Sequence, residues 1–266
     1  MVNAENCPVC GSHDLFKEPG FLTRIITWRS TGIDPGEDVT NQKVTCNECE
    51  LVFSELRLTE SEEAKYYSGY RDETYLKQRK ICTPFYDKLQ ELFAQPWYIK
   101  NRQFAILSLV QKHTTLSNIK SILDYGGDTG ELIPPSFKNS KKYVYDLSDR
   151  LLLPEIEKVI DHDQKFDLII CAHVLEHESE PHGLIEKLKM HMNSDTLLYL
   201  EVPYKEESML GHNVFDEHIN HWSEKSINKL LEMQDINIID MAVYDILINS
   251  KTDFALKILA KLNGVS

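Results

Sequence analysis

The sequence predicts an α/β protein: a doubly wound sheet preceded by a small metal-binding module and a helical connector. Three observations predict it. From Ile119 onward, apolar strand-like runs alternate with helical patterns, which is how a parallel sheet covered on both faces is built. The first of those runs ends in an aspartate and opens into a glycine-rich turn, Asp124-Tyr125-Gly126-Gly127-Asp128-Thr129-Gly130. Ahead of it, four of the six cysteines form two Cys-x-x-Cys pairs. The expected boundaries are 1–57 for the module, 58–115 for the connector and 116–266 for the sheet domain.

The module comes first in the chain. Cys7-Pro-Val-Cys10-Gly11 and Cys46-Asn-Glu-Cys49 each place two thiolates on one turn, and two such knuckles complete a tetrahedron of sulfur that suits structural Zn²⁺. A thioredoxin-like redox pair would need a βαβ unit before it, and Cys7 leaves no room for one. Thirty-five residues separate Cys10 from Cys46; Phe21–Trp28 is β-prone and Thr31–Gly36 has turn chemistry, so a hairpin is expected between the knuckles. Cys82 and Cys171 are left over, and Cys171 sits in an apolar run as a small hydrophobe.

The connector reads as helix. Thr59-Glu-Ser-Glu-Glu63 is a capped, acidic helix start, Pro84–Phe93 has apolar residues at helical spacing, and a further helix is expected from Trp97 to Gln111 after Pro96. Its tyrosines Tyr66, Tyr67 and Tyr70 are expected to pack between elements, although one hydroxyl could reach an active site.

The sheet domain then supplies strands at Ile119–Asp124, Lys142–Asp146, Phe166–Ala172, Thr196–Pro203, 236–245 and 253–261, with a helix from Ser223 to Met233. In such sheets ligands bind beyond the carboxyl ends of the strands. Asp124 at the first strand tip, the turn Tyr125-Gly126-Gly127 with Gly130, and Asp146-Leu147 at the second tip are therefore the expected cofactor residues. Asp146 lies 22 positions after Asp124, where a carboxylate can accept both hydroxyls of a ribose. The dinucleotide fingerprint G-x-G-x-x-G fails, because Gly126 and Gly127 are adjacent.

Composition narrows the partners. The net charge of −13 argues against nucleic acid or an anionic membrane as a general partner. No apolar run approaches the ~20 residues of a membrane span. The opening Met1–Asn6 has neither a basic start nor an apolar core, so no signal peptide is expected and the cytoplasm is the default.

Asp124-Tyr-Gly-Gly-Asp-Thr-Gly130, Asp146-Leu-Ser, Phe166-Asp-Leu-Ile and His173-Val-Leu-Glu-His177 resemble, in order and spacing, the motifs of class I S-adenosylmethionine methyltransferases with their Rossmann-like sheet. The cysteine knuckles, Glu201-Val-Pro-Tyr204 and Phe215-Asp-Glu-His218-Ile-Asn-His-Trp-Ser223 resemble more narrowly the zinc-binding group that includes sugar C-methyltransferases. The resemblance implies that the glycine loop holds the methionine end of S-adenosylmethionine, that Asp146 holds its ribose, that His173 flanks the sulfonium, and that the zinc is structural. Three departures stand out. Asp128 replaces a glycine of the usual loop; Phe215-Asp216 replaces the Tyr-His that usually precedes Glu-His; and a counterpart of the further C-terminal domain of the C-methylating relatives is not expected.

An oxygen or carbon acceptor must lose a proton on methylation, and histidine is the natural base near neutral pH. His218 is the expected base, with Glu217 and His177 as helpers or substrate ligands, while His212 and His221 are expected to be surface or loop residues. His173, Glu176 and His177 do not have the His-Glu-x-x-His order of a zinc protease, so no catalytic metal is expected there. The expected activity is methylation of a small polar acceptor, a sugar or surface-polysaccharide precursor, with oxygen slightly favoured. The alternatives are C-methylation of a nucleotide-linked deoxysugar and a cofactor-binding module without catalysis.

Overall fold

The structure, a computed structural model, describes residues 1–148, 150–159, 163–204, 214–248 and 251–264. In chain order they form β1 (Val2–Asn3), β2 (Leu15–Leu22), α1 (Arg24–Thr31), β3 (Val39–Cys46), β4 (Val52–Ser54), β5 (Leu56–Arg57), α2 (Glu60–Tyr67), α3 (Glu73–Cys82), α4 (Tyr86–Phe93) and α5 (Pro96–His113). Then come β6 (Ser121–Tyr125), β7 (Lys141–Tyr145), β8 (Ile156–Lys158), β9 (Leu168–Ala172), α6 (Pro181–Met190), β10 (Leu197–Pro203), β11 (Val214–Phe215), β12 (Asn220–His221), α7 (Glu224–Met233), β13 (Ile236–Ile248) and β14 (Lys251–Leu262). No described helix is long and apolar enough to cross a membrane.

Two compact units result, and both are discontinuous. The first comprises Met1–Gln90, Leu175–Pro181 and Tyr204–Leu230; the second comprises Glu91–Val174, His182–Pro203 and Leu231–Ser266. The sequence-based boundaries at 57 and 115 are linear, whereas the Glu217–His218 segment joins the unit that carries the cysteines.

In the first unit, β2, β3 and β4 form an antiparallel meander whose two edges are completed by late strands, in the order β11-β2-β3-β4-β12. The expected hairpin between the knuckles is present as β2 paired with β3. Its β-prone end, however, turns helical: Arg24–Thr31 is α1, not strand. Ile25 and Ile26 are buried there with Leu22, Tyr66, Phe215 and Ile219, and packing of that apolar face overrides the β-propensity of isoleucine. Gly32, at φ +80°, ends the helix by donating its amide to the Trp28 carbonyl. The connector helices start as their caps dictate. Glu62 accepts the Thr59 amide at 2.9 Å, and Asp72 accepts the Tyr75 amide at 2.7 Å.

In the second unit the strand order is β13-β14-β10-β9-β6-β7-β8, parallel from β10 through β8, with β14 running antiparallel beside β10. Leu168, Ile170, Ile122, Leu197 and Tyr199 of these strands pack against Ile106, Leu109 and Val110 of α5. Pro96 opens α5 rather than merely preceding it, since its missing N–H is no loss in the first turn. Strand order reverses at β6, which lies between β7 and β9, and this switch point places the tip of β6 where such sheets bind ligands. The crossover from β6 to β7 contains only turns where a helix is usual. Pro134 and Pro135 fall where its first turns would run, and proline both lacks a donor and clashes with the preceding turn.

Candidate functional site

The glycine loop of the second unit is shaped by what its neighbours leave no room for. A Cβ on Gly127 would lie 2.4 Å from the carboxyl carbon of Asp124, and one on Gly130 (φ +81°) would lie 2.4 Å from Ile156. Gly126 donates its amide to the Tyr145 carbonyl at 2.7 Å, and the Tyr125 and Tyr145 rings stack at 4.6 Å. Asp128, where glycine is usual, also adopts a left-handed conformation (φ +51°). Aspartate tolerates that conformation better than most residues, and its side chain is engaged by Ser148 and Arg150. Its amide donates to Asp146 at 2.8 Å, and the Ser148 amide donates to the other Asp146 oxygen at 2.7 Å. Each oxygen keeps a lone pair for a further donor. Leu147 beside it is exposed.

Asp124 is 1% exposed, and its Oδ2 has no hydrogen-bond partner among the described residues. Burial pushes its carboxyl up to about 7; the Arg102 charge opposes the shift, and Asp146 and Asp128 add to it. Arg102, on α5, donates from Nε to Glu201 at 2.7 Å, while its buried Nη2 has no partner among the described residues. Glu201 is fully buried, so desolvation works against its charge, yet Arg102, His173 and Lys257 hold it well below the ordinary carboxylate range. The Tyr199 hydroxyl donates to it at 2.6 Å, and His173 Nε2 lies 3.2 Å away. His173 sits at φ +57°, with its amide on the Glu201 carbonyl. That strained backbone is held by two contacts to one residue.

The first unit brings the four predicted cysteines together. One sulfur from each of Cys7, Cys10, Cys46 and Cys49 lies within 4.8 Å of the others, with 3.5 Å between Cys7 and Cys49 and between Cys10 and Cys46. Zn–S bonds of ~2.3 Å in a tetrahedron put sulfurs about 3.8 Å apart, so the set fits the ion. The two knuckles repeat one turn: the Gly11 amide donates to Cys7 O and the Glu50 amide to Cys46 O, each at 2.9 Å. All six cysteines are free of disulfides.

The same unit holds a polar centre around Glu217. Its carboxylate accepts the hydroxyls of Tyr66, at 2.9 Å, and of Tyr75, and Arg79 lies 3.5 Å from its second oxygen. Burial opposes its charge, but Arg79, His177 and the two tyrosines hold it down at about 2. Arg79, 3% exposed, also forks onto Asp216. His177 Nδ1 donates to the Glu217 backbone carbonyl at 2.9 Å, and its ring meets that of His218 edge-on at 4.8 Å. Burial, then the neighbouring His218, lowers the His177 pKa, which favours the neutral ring.

Of the predicted residues, His218, Glu217 and His177 are thus gathered in one unit; Asp124, Tyr125, Gly126, Gly127, Gly130, Asp146, Leu147 and His173 are gathered in the other. Among the connector tyrosines, Tyr66 reaches Glu217, while Tyr67 and Tyr70 continue an edge-to-face chain to Tyr75. His221 lies in β12 with its ring against Phe215, and His212 lies outside the described residues. Tyr75, Arg79 and Arg102 were not singled out from sequence. The available signal was a lone arginine on the apolar face of each helix, Arg102 among Tyr98, Ala105, Ile106 and Leu109, and Arg79 four positions after Tyr75.

The family model described as "Methyltransferase domain" matches residues 83–240. Among solved structures, the magnesium protoporphyrin IX methyltransferase of Synechocystis PCC 6803 with bound S-adenosylhomocysteine is similar, with 16% identity and a TM-score of 0.50 over 72% of this chain and 100% of that one. So is the 1,6-didemethyltoxoflavin-N1-methyltransferase of Burkholderia thailandensis, with 13% identity and a TM-score of 0.50 over 71% of this chain and 89% of that one. A S-adenosylmethionine-dependent methyltransferase from Clostridium acetobutylicum ATCC 824 has 18% identity and a TM-score of 0.49 over 67% and 99%. For the first two, at these identities, the likeness is one of fold. No curated protein sequence matches.

Proposed function

Because this chain belongs to the methyltransferase-domain family, we propose that it transfers the methyl group of S-adenosylmethionine to a small polar acceptor, a sugar or a surface-polysaccharide precursor. The observation that carries the cofactor is a pair of buried groups of opposite charge in the second unit, the Asp124 Oδ2 and the Arg102 Nη2, neither with a partner among the described residues. A carboxylate and a guanidinium left over beside a glycine loop suit the ammonium and carboxylate of an amino acid, and burying either without a partner would be costly. In this reading Asp124 takes the methionine ammonium and Arg102 its carboxylate. Asp146 takes the ribose hydroxyls with its remaining lone pairs, and the backbone of Tyr125, Gly126, Gly127 and Gly130 lines the approach. Leu147 offers an apolar surface to the base, and His173 flanks the reacting end. When bound, the cofactor supplies an electrophilic methyl group for in-line displacement.

His218 removes the acceptor proton, with His177 beside it. The Nδ1–H of His177 is committed to the Glu217 carbonyl, so its Nε2 carries the lone pair and can accept a hydrogen bond from acceptor or imidazole. Glu217 acts as a fixed negative charge near the histidines rather than as a base, since Arg79 and two hydroxyls keep it ionised. Oxygen is favoured over carbon as the acceptor atom. An enolate would need a free hydroxyl to stabilise it, and the Tyr66 and Tyr75 hydroxyls are spent on Glu217. Cys7, Cys10, Cys46 and Cys49 hold structural Zn²⁺.

Calorimetry with S-adenosylmethionine, followed by mass spectrometry of products from a panel of sugars and capsule precursors, tests this function. Absence of cofactor binding would overturn it. Binding and turnover that survive His218→Ala would overturn His218 as the base.

A further inference from the structure

In sequence Glu176 and His177 lie beside His173 in a set without the zinc-protease order, and His218 is 41 positions further on. In the structure one donor atom from each of Glu176, His177 and His218 lies within 4.8 Å of the other two. We propose that these three side chains form a second divalent-cation site, separate from the four cysteines and built for a transition metal such as Zn²⁺ or Co²⁺.

The chemistry of the set carries the proposal. Two imidazoles and a carboxylate are the ligands that Zn²⁺ and its neighbours accept when a position is left open for water or substrate. Glu176 is fully buried, where the charge of its carboxylate attracts a cation more strongly. His177 has the second contact that metal-bound histidines almost always have: one ring N–H committed to a backbone carbonyl, here that of Glu217. That bond fixes the tautomer and leaves the other nitrogen's lone pair for an ion. Bonds of about 2.0–2.2 Å bring such donors to roughly 3.5 Å from one another, so the set has at most little more than an ångström to close.

The backbone around the three donors is already fixed. Glu176 O accepts the amides of Ile219 and Asn220 at 2.9 and 3.0 Å. The Asn220 side chain donates to the carbonyls of Leu175 and Glu178 at 3.2 and 2.8 Å. Arg57, 4% exposed, ties the same two segments by donating to Asn220 Oδ1 and to the carbonyls of Glu178 and Ser179. The donors therefore sit on two cross-braced strips of chain, and little ordering remains to oppose an ion.

In a transferase that uses His218 as base, a bound cation would compete for the same lone pair and act as an inhibitor. The test is a Co²⁺ titration of the full chain with Zn²⁺ already on its cysteines, followed by visible absorption. One equivalent of cobalt is expected, with d–d bands but without thiolate charge transfer, and with affinity at least about tenfold lower in His218→Ala and Glu176→Gln. His218 is only partly buried, so His218→Ala remains informative if loss of fully buried Glu176 impairs folding. No added equivalent, thiolate bands, or undiminished affinity in His218→Ala would overturn the site.

Discussion

Arg79 grips Asp216, 137 positions later in the chain, with both terminal nitrogens at 2.7 Å. The fork is bidentate and the guanidinium almost wholly buried, so removing it strands two carboxylates, those of Asp216 and Glu217. Arg79→Met is therefore expected to destabilise the protein by about 3 kcal/mol, the scale for breaking a buried pair from one side. Urea unfolding would measure it, and a loss under about 1 kcal/mol would mean the pair is solvated.

Glu217 gives acid sensitivity a definite sign. Its folded pKa is depressed to about 2, so its stabilising contribution is present above the ordinary 4.5 and is lost as pH falls through that window. Glu217→Gln should flatten stability between those values. Tyr75→Phe, which removes one charge-assisted bond, should cost about 2 kcal/mol at neutral pH. Denaturation curves collected from pH ~5 downward would decide, and an unchanged slope in Glu217→Gln would exclude the carboxylate as the cause.

Asp124 behaves in the opposite way. Its folded pKa is raised to about 7, so stability is full below the ordinary carboxylate range and is lost as pH rises through 7. An ammonium ion needs the ionised form. S-adenosylmethionine affinity should accordingly climb between about pH 6 and 8, and Asp124→Asn should weaken it by about tenfold to a hundredfold while abolishing the climb. Isothermal titration at several pH values measures both effects, and a pH-independent affinity in the parent protein would contradict the assignment.

The cysteine cluster predicts a metal content. One Zn²⁺ per chain should resist dialysis, and Cys46→Ser should lose it together with much of the stability of the first unit. Elemental analysis paired with thermal melts checks this. Full stability without metal would make the cluster incidental.

How far these features were legible from sequence depends on whether they are local. The cysteine knuckles, the tip of β6 and the spacing from Asp124 to Asp146 are short-range patterns, and each stands where the spacing puts it. Helix α1 carries a β-prone sequence because Ile25 and Ile26 are β-branched, and only Tyr66, Phe215 and Ile219 reveal the face they cover. The partners of Glu217 were hidden for the same reason. Tyr66 and Tyr75 lie 151 and 142 positions away, beyond anything periodicity can connect. Arg102 was the one arginine among the apolar residues of its helix face, a cue visible in sequence but without meaning until β10 brings Glu201 beside it.

The edge strands β11 and β12 set a timetable for biosynthesis. The meander β2-β3-β4 is translated within the first fifty-four residues, yet both of its borders stay unpaired until residues 214–221 have been made. A nascent chain therefore carries two open hydrogen-bonding edges through most of its synthesis, the condition under which strands recruit the wrong partner. Early capture of an ion by Cys7, Cys10, Cys46 and Cys49 would hold the meander in register during that wait, so zinc supply should govern the yield of folded chain as well as its final stability.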